Sequence, residues 1–283
     1  MVMSRGFGIF AQNVYNEGHE CDYLTQAYAL ALSIKIHCGK QWPVFVMTND
    51  EVPQQYKEVF DEIVPIPWGD MAENSLWKIE NRWKMYHKTP YRETIVLDSD
   101  CLVMRDISHW WDLLEGRTVS YGNNPITYTG QPIQDTYRKT FIANDLPDVY
   151  NTIFYFKKSP EAKAFFTMVE IIVNNWKEFY LRYAPKEFQK FPSMDLTCAI
   201  AAKLTGMSDQ ITDKNFIPFI HMKPKCQGWE NAPLDWTNVI GSYINNQGEL
   251  KLGNHRITDV LHYVESEFLT PKIINTLENM YHV

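Results

Sequence analysis

The chain has 283 residues, a formal charge of −7 and a pI near 5.6. That length sustains a sizeable core, and the acidic balance excludes a whole-molecule electrostatic hold on nucleic acid or anionic lipid, leaving only a local basic face. Five scattered cysteines without a CxxC pair exclude a disulfide framework and a thiolate zinc site, and suit a reducing cytoplasm.

The N-terminal MVMSRGFGIFAQN lacks the apolar core of a signal peptide, and no stretch approaches the ~18 apolar residues of a membrane span. GFGIFAQ (6–12) reads as a buried strand, and YLTQAYALALSIKIH (23–37) carries apolar residues at helical spacing. WPVFVMT (42–48) is strand-like, VPQQYKEVF (52–60) a short helix, EIVPIP (62–67) a strand and SLWKIENRWKMYHK (75–88) a helix. The next strand, TIVLD, runs into Asp98-Ser99-Asp100 and then back to apolar residues. Further along come VSY (119–121), a Gly/Asn/Pro/Thr-rich loop at 122–136 suited to a lid or acceptor loop, a strand at 149–157 and a long helix near 160–182. A helix at 194–204, a strand at 216–221 and a helical C-terminal segment docked on the rest complete the series. No repeat, low-complexity segment or linker divides the chain. Strand-helix alternation predicts an α/β fold with a mostly parallel sheet, whose ligand crevice lies at the carboxyl ends of the strands.

Asp98 and Asp100 fall at such an end. With sixteen Asp in the chain, a bare DxD is expected by chance and says little. Its apolar flanks say more, because an unpaired buried carboxylate costs several kcal/mol. A hard divalent cation, which takes carboxylates plus water and substrate phosphates, supplies the missing countercharge. The plainer alternative is a strand-end Asp that caps the next turn.

PYRETIVLDSDCLVMRDI (90–107) resembles the strand and DxD of glycosyltransferases with the GT-A fold, especially the family 8 group that includes glycogenin and bacterial galactosyltransferases. The resemblance implies one Rossmann-like GT-A domain over 1–283, with a nucleotide-binding half (1–104) and an acceptor-binding half (105–283). It implies a metal between Asp98, Asp100 and the diphosphate of a nucleotide sugar, with Ser99 on the donor side. The AQN end of the first strand is similar to the family's nucleotide-binding start, which makes Ala11, Gln12 and Asn13 donor contacts. Arg82 and Lys84, on the helix before the DxD, match the family's basic position near the donor; the ordinary alternative is a solvated helix face. VYNTIFYFKKSPEAKAFF (149–166) is similar to the family's FNSGVML strand, with Asn151 on its Asn and Ile153 in place of its Gly. PSMDLTCAIAAK (192–203) looks like DQDxLN, with Asp195 on the second Asp and Ser193 on the first. Asp195 is equally placed to favour the helix start by charge. FIHMKPKCQGW (219–229) resembles HxxGxxKPW at a strand end, which makes His221 the third metal ligand, His255 and His262 its competitors, and Lys223 or Lys225 phosphate contacts.

The expected activity is metal-dependent transfer of a sugar from a UDP-sugar to a hydroxyl acceptor, with retention. Manganese suits a mixed carboxylate and imidazole site better than magnesium. Asp195 and Asn151 would then act on the sugars as catalytic residues. A haloacid-dehalogenase-like phosphatase also begins with an apolar strand and DxD, but wants Thr or Val where Leu102 stands and places its motif near the N-terminus. A sugar nucleotidyltransferase needs a Gly-rich basic first loop that GFGIFAQN lacks, and a non-catalytic binder on the same fold is a third reading. The acceptor stays open among a bacterial glycan or lipopolysaccharide core, a protein side chain, a small molecule and a modified base in bacteriophage DNA, the last needing a basic face to which Lys157, Lys158, Lys186 and Lys190 could contribute. The expected location is cytoplasmic, that of the host if the chain is viral.

Overall fold

The computed structural model describes residues 4–16, 19–73, 75, 78–133, 138–185, 191–212 and 217–283. Six strands lie side by side in the order Glu62–Val64, Val44–Met47, Arg5–Phe10, Glu93–Asp98, Tyr150–Lys157, Val119–Gly122. The first four run parallel, and Tyr150–Lys157 is antiparallel to both of its neighbours. Alternation along these strands feeds two apolar layers. Phe7, Ile9, Ile95 and Leu97 pack on one face; Phe45, Met47, Val96 and Phe154 pack on the other. Glycine is required in the first strand by close approach: a Cβ on Gly6 would stand 2.3 Å from the Tyr91 ring and one on Gly8 2.6 Å from the Phe45 ring.

The helix Tyr23–Cys38 is apolar on nearly every side, as a helix buried all round must be. Asp22 caps it by accepting from Thr25 N at 3.0 Å. Its buried Ser33 Oγ accepts from Val103 N at 3.0 Å and donates to Leu30 O at 2.7 Å, so the hydroxyl costs little.

A second sheet of four short strands was not anticipated. Its order is Cys101–Val103, Val260–His262, Pro218–His221, Asn124–Ile126. Cys101–Val103 leaves the central sheet directly after the DxD, and pairs antiparallel with Val260–His262 so that His262 faces Cys101. Val260–His262 and Pro218–His221 run parallel with His221 beside His262. Part of the expected 122–136 loop is therefore strand, closed by Thr127 N donating to Gln131 O at 2.8 Å; residues 134–136 lie outside the described ones.

Two helices differ from expectation for local reasons. The described part of 75–88 is a 3-10 helix, Lys78–Lys84, followed by one α-turn, Met85–Lys88. The tighter winding aligns residues three apart. Asn81 Oδ1 there accepts from Lys84 Nζ at 2.7 Å and from Met71 N at 3.1 Å. The helix near 160–182 is two, Pro160–Asn174 and Trp176–Tyr183, parted at Asn175, whose Nδ2 donates to Ile171 O at 2.9 Å. Met194–Leu204 and the C-terminal helix Pro271–His282 agree with expectation. Among the described residues no helix is long and apolar enough to cross a membrane.

Candidate active site

Asp98 ends the fourth parallel strand, and Asp100 follows in the turn that leads into the second sheet. His262 Nε2 lies 3.0 Å from Asp100 Oδ2. Ligand atoms of Asp98, Asp100 and His262 all fall within 4.8 Å of one another. Two hard carboxylate oxygens and one imidazole nitrogen, converging from two sheets, make a donor set suited to a divalent ion that accepts both oxygen and nitrogen. His221 does not enter that group. Its Nδ1 stands 3.0 Å from His262 Nδ1, one ring behind the cluster. His255 lies elsewhere, with its ring 5.3 Å from Tyr128.

The cluster opens into a cleft of about 670 Å³, lined by Gln12, Arg82, Asp98, Ser99 and Asp100 among others, which lies in the size range of small-ligand sites. Arg82 is the cation closest to the carboxylates. Its Nη1 sits 2.5 Å from Asp98 Oδ1, the side chain is 6% exposed, and Nε and Nη2 have no acceptor among the described residues. Burial pushes the Asp98 carboxyl up to about 6; Arg82 and His262 oppose that, and the charges of Asp100 and Asp195 add to it. Burial alone would lower His262, but the Asp100 charge and hydrogen bond, with Asp98 behind them, raise it overall. His221 is held well below the usual histidine range by burial, and further by His262, Lys223 and Arg138.

The remaining sequence candidates divide. Ser99 and Gln12 line the cleft. Gln12 is fixed by donating to Asp70 Oδ2 at 2.5 Å and accepting from Asn81 Nδ2 at 3.0 Å. Ala11 is buried at the end of the first strand. Asn13 shapes the loop, accepting from Leu24 N at 2.9 Å and donating from its own backbone to Asp50 Oδ2 at 2.7 Å. Lys84 is fully buried away from the cleft and donates to Gly69 O and Asn81 Oδ1, both at 2.7 Å. Lys223 and Lys225 are exposed beyond the end of Pro218–His221.

Asp195 and Asn151 form a second constellation. Asp195 Oδ1 accepts from Asn151 N at 2.8 Å, and Oδ2 accepts from Arg138 Nη1 at 2.9 Å. Arg138 lies over the Tyr150 ring at 3.5 Å, and also meets Val149 O and Asp148. Asn151 Nδ2 donates to Cys198 Sγ at 3.3 Å, and Asn151 Oδ1 is buried with no donor among the described residues. Sequence reasoning missed Arg138 and Thr152. Arg138 sits in no motif and meets Asp195 only in the fold, and Thr152, inside the 149–166 match, stands 3.2 Å from His262 Nδ1 only because the second sheet brings that ring to it. Of the basic residues considered for a DNA face, Lys157 Nζ is 4.0 Å from Glu93 Oε1 and Lys158 donates to Thr89 O at 3.2 Å. Lys186 and Lys190 lie outside the described residues.

No family model matches the chain, and no curated protein matches it by sequence. Solved structures do. The galactosyltransferase LgtC, in complex with donor and acceptor sugar analogues, is 11% identical with a TM-score of 0.53, over 98% of this chain and 95% of LgtC. An active-site mutant of LgtC gives 12% and 0.54, over 97% and 94% of the two chains. The bifunctional glycosyltransferase WbbM is 13% identical with a TM-score of 0.51 over 99% of this chain but 50% of its own, so this chain spans half of WbbM's length. At such identities the likeness establishes architecture: the chain has the mixed α/β, GT-A-type fold of these glycosyltransferases.

Proposed function

We propose that the protein is a metal-dependent glycosyltransferase that moves a sugar from a nucleotide diphosphate sugar, a UDP-sugar, to a hydroxyl acceptor with retention of configuration. The observation that carries this reading is the convergence of Asp98, Asp100 and His262 within 4.8 Å, with both carboxylates on the wall of a cleft of about 670 Å³. The fold shared with glycosyltransferases supports the same class.

Asp98, Asp100 and His262 would hold the ion, manganese or magnesium, in place of His221 as the histidine ligand. When bound, such an ion supplies Lewis-acid stabilisation of the negative charge that develops on the departing diphosphate, worth several kcal/mol. Arg82 meets the same charge. Its guanidinium, on the cleft wall and paired with Asp98, sets positive charge beside a phosphate there, in a setting where such interactions are strong. Gln12 and Ser99 border the donor.

Asp195 orients sugar hydroxyls, with both carboxylate oxygens already fixed by Asn151 N and Arg138. Held that way it is a positioner and not a nucleophile, which fits retention by front-face attack within an ion pair. Asn151 acts through its backbone N–H, which holds Asp195 Oδ1. The protein is expected to release UDP from at least one member of a UDP-sugar panel with manganese, and to lose that release with chelator. Release of phosphate from phosphomonoesters, with none of UDP, would replace the reading with the phosphatase.

A further inference from the structure

His221 and His262 occupy matched positions on two parallel strands. Their rings lie 4.8 Å apart at 29°, and each residue is 8% exposed. The Nδ1 atoms face each other at 3.0 Å, and Thr152 Oγ1 stands 3.2 Å from His262 Nδ1. The other ring nitrogen of His262 is turned to Asp100 Oδ2 at 3.0 Å.

Proton accounting limits what this pair does. Two facing Nδ1 atoms at hydrogen-bond distance hold one hydrogen between them, so one ring donates and the other accepts. If His262 gives its Nε2 lone pair to an ion, its remaining ring hydrogen is on Nδ1. His221 Nδ1 is then the acceptor, and the hydrogen of neutral His221 is on its own Nε2. Metal-binding histidines depend on such a partner for ring orientation, most often a carboxylate or a carbonyl. Here a second imidazole fills that place. His221 is itself steadied: its carbonyl accepts from Gln227 Nε2 at 2.6 Å, and its ring lies 6.1 Å from those of Tyr150 and Phe219.

We propose that His221 is a positioning residue, whose Nδ1 accepts the Nδ1–H of His262 and so fixes that ring in the tautomer that leaves its Nε2 lone pair, beside Asp100 Oδ2, to the ion. Thr152 shares the same hydrogen. The proposal rests on the metal-dependent reading of the site. It separates two roles that position along the chain does not distinguish, an imidazole that touches the ion and one that aims it.

The test uses the full chain and manganese alone, with free ion followed by electron paramagnetic resonance. His221→Ala should weaken manganese binding by about 10- to 100-fold, while His221→Asn, whose Oδ1 restores an acceptor near the lost Nδ1, stays within about threefold of wild type. His262→Ala should lose more than His221→Ala. Unchanged affinity in His221→Ala overturns the proposal, and so does a loss equal to that of His262→Ala, which would make His221 a ligand.

Long-range proton–nitrogen NMR gives a readout free of metal affinity. In the magnesium-loaded protein His262 should carry a proton on Nδ1 with His221 Nδ1 bare, and that His262 signal should shift or broaden in His221→Ala. A bare His262 Nδ1, or a proton on His221 Nδ1, in the magnesium-loaded wild type overturns the proposal. Wild-type protein that takes up no manganese sinks the metal reading instead, and the metal-free spectrum then decides the contact between the two rings alone: one hydrogen held between the Nδ1 atoms keeps it, whichever ring donates, and none removes it.

Discussion

In the central sheet, Arg5–Phe10 and Glu93–Asp98 pair over six residues, and their side chains feed thick apolar layers on both faces. In the second sheet no strand exceeds four residues, and neighbours arrive from positions near 101, 260, 218 and 124. The first is stabilised by area. The second has shorter strands, yet it brings His262 to Asp100 with His221 behind it. The scaffold is thus carried by the first sheet and the site's histidines by the second; the chain joins them at Asp98–Cys101 and again at Gly122–Asn124, and damage to each should be separable.

The largest separation is expected at Arg82, which touches the site from the scaffold side. Arg82→Gln should cut turnover on the order of 10²-fold, as loss of one preorganised donor to developing charge does. Its fold should survive, because an Asp98 carboxyl already raised to about 6 can take a proton when its partner is gone. Steady-state kinetics beside thermal unfolding checks both halves, and parallel loss of folding and turnover would erase the distinction between scaffold and site.

A complementary and smaller effect is expected at Gly6. The Gly6→Val side chain would press on the Tyr91 ring, since a Cβ alone stands 2.3 Å from it. A destabilisation of about 1–3 kcal/mol should follow. Urea unfolding measures it, and manganese affinity of the folded fraction should stay at the wild-type level. A weakened affinity would mean that strain in the central sheet reaches the second one.

The same contrast explains what was legible in the sequence. The strands and helices of the central layer announce themselves through local periodicity, and TIVLD with its two carboxylates marks the strand end where the cleft opens. Of the second sheet only Pro218–His221 shows in the sequence, because three- and four-residue strands are too short to show alternation. Val260–His262 therefore gives no local signal, and the sequence offers His262 only as a competitor of His221. The histidine that meets Asp100 is set by the pairing of Cys101–Val103 with Val260–His262, more than 150 residues apart. Asp195 carried a sequence signal through its motif, whereas Arg138, which grips it, had none.

Diffraction from crystals grown with manganese and UDP, collected at the manganese edge, tests the central claim most directly. The account predicts one anomalous peak bonded to carboxylate oxygens of Asp98 and Asp100 and to Nε2 of His262, with the diphosphate beside it. A peak held by other side chains, or UDP bound in the cleft with no peak at all, would contradict it.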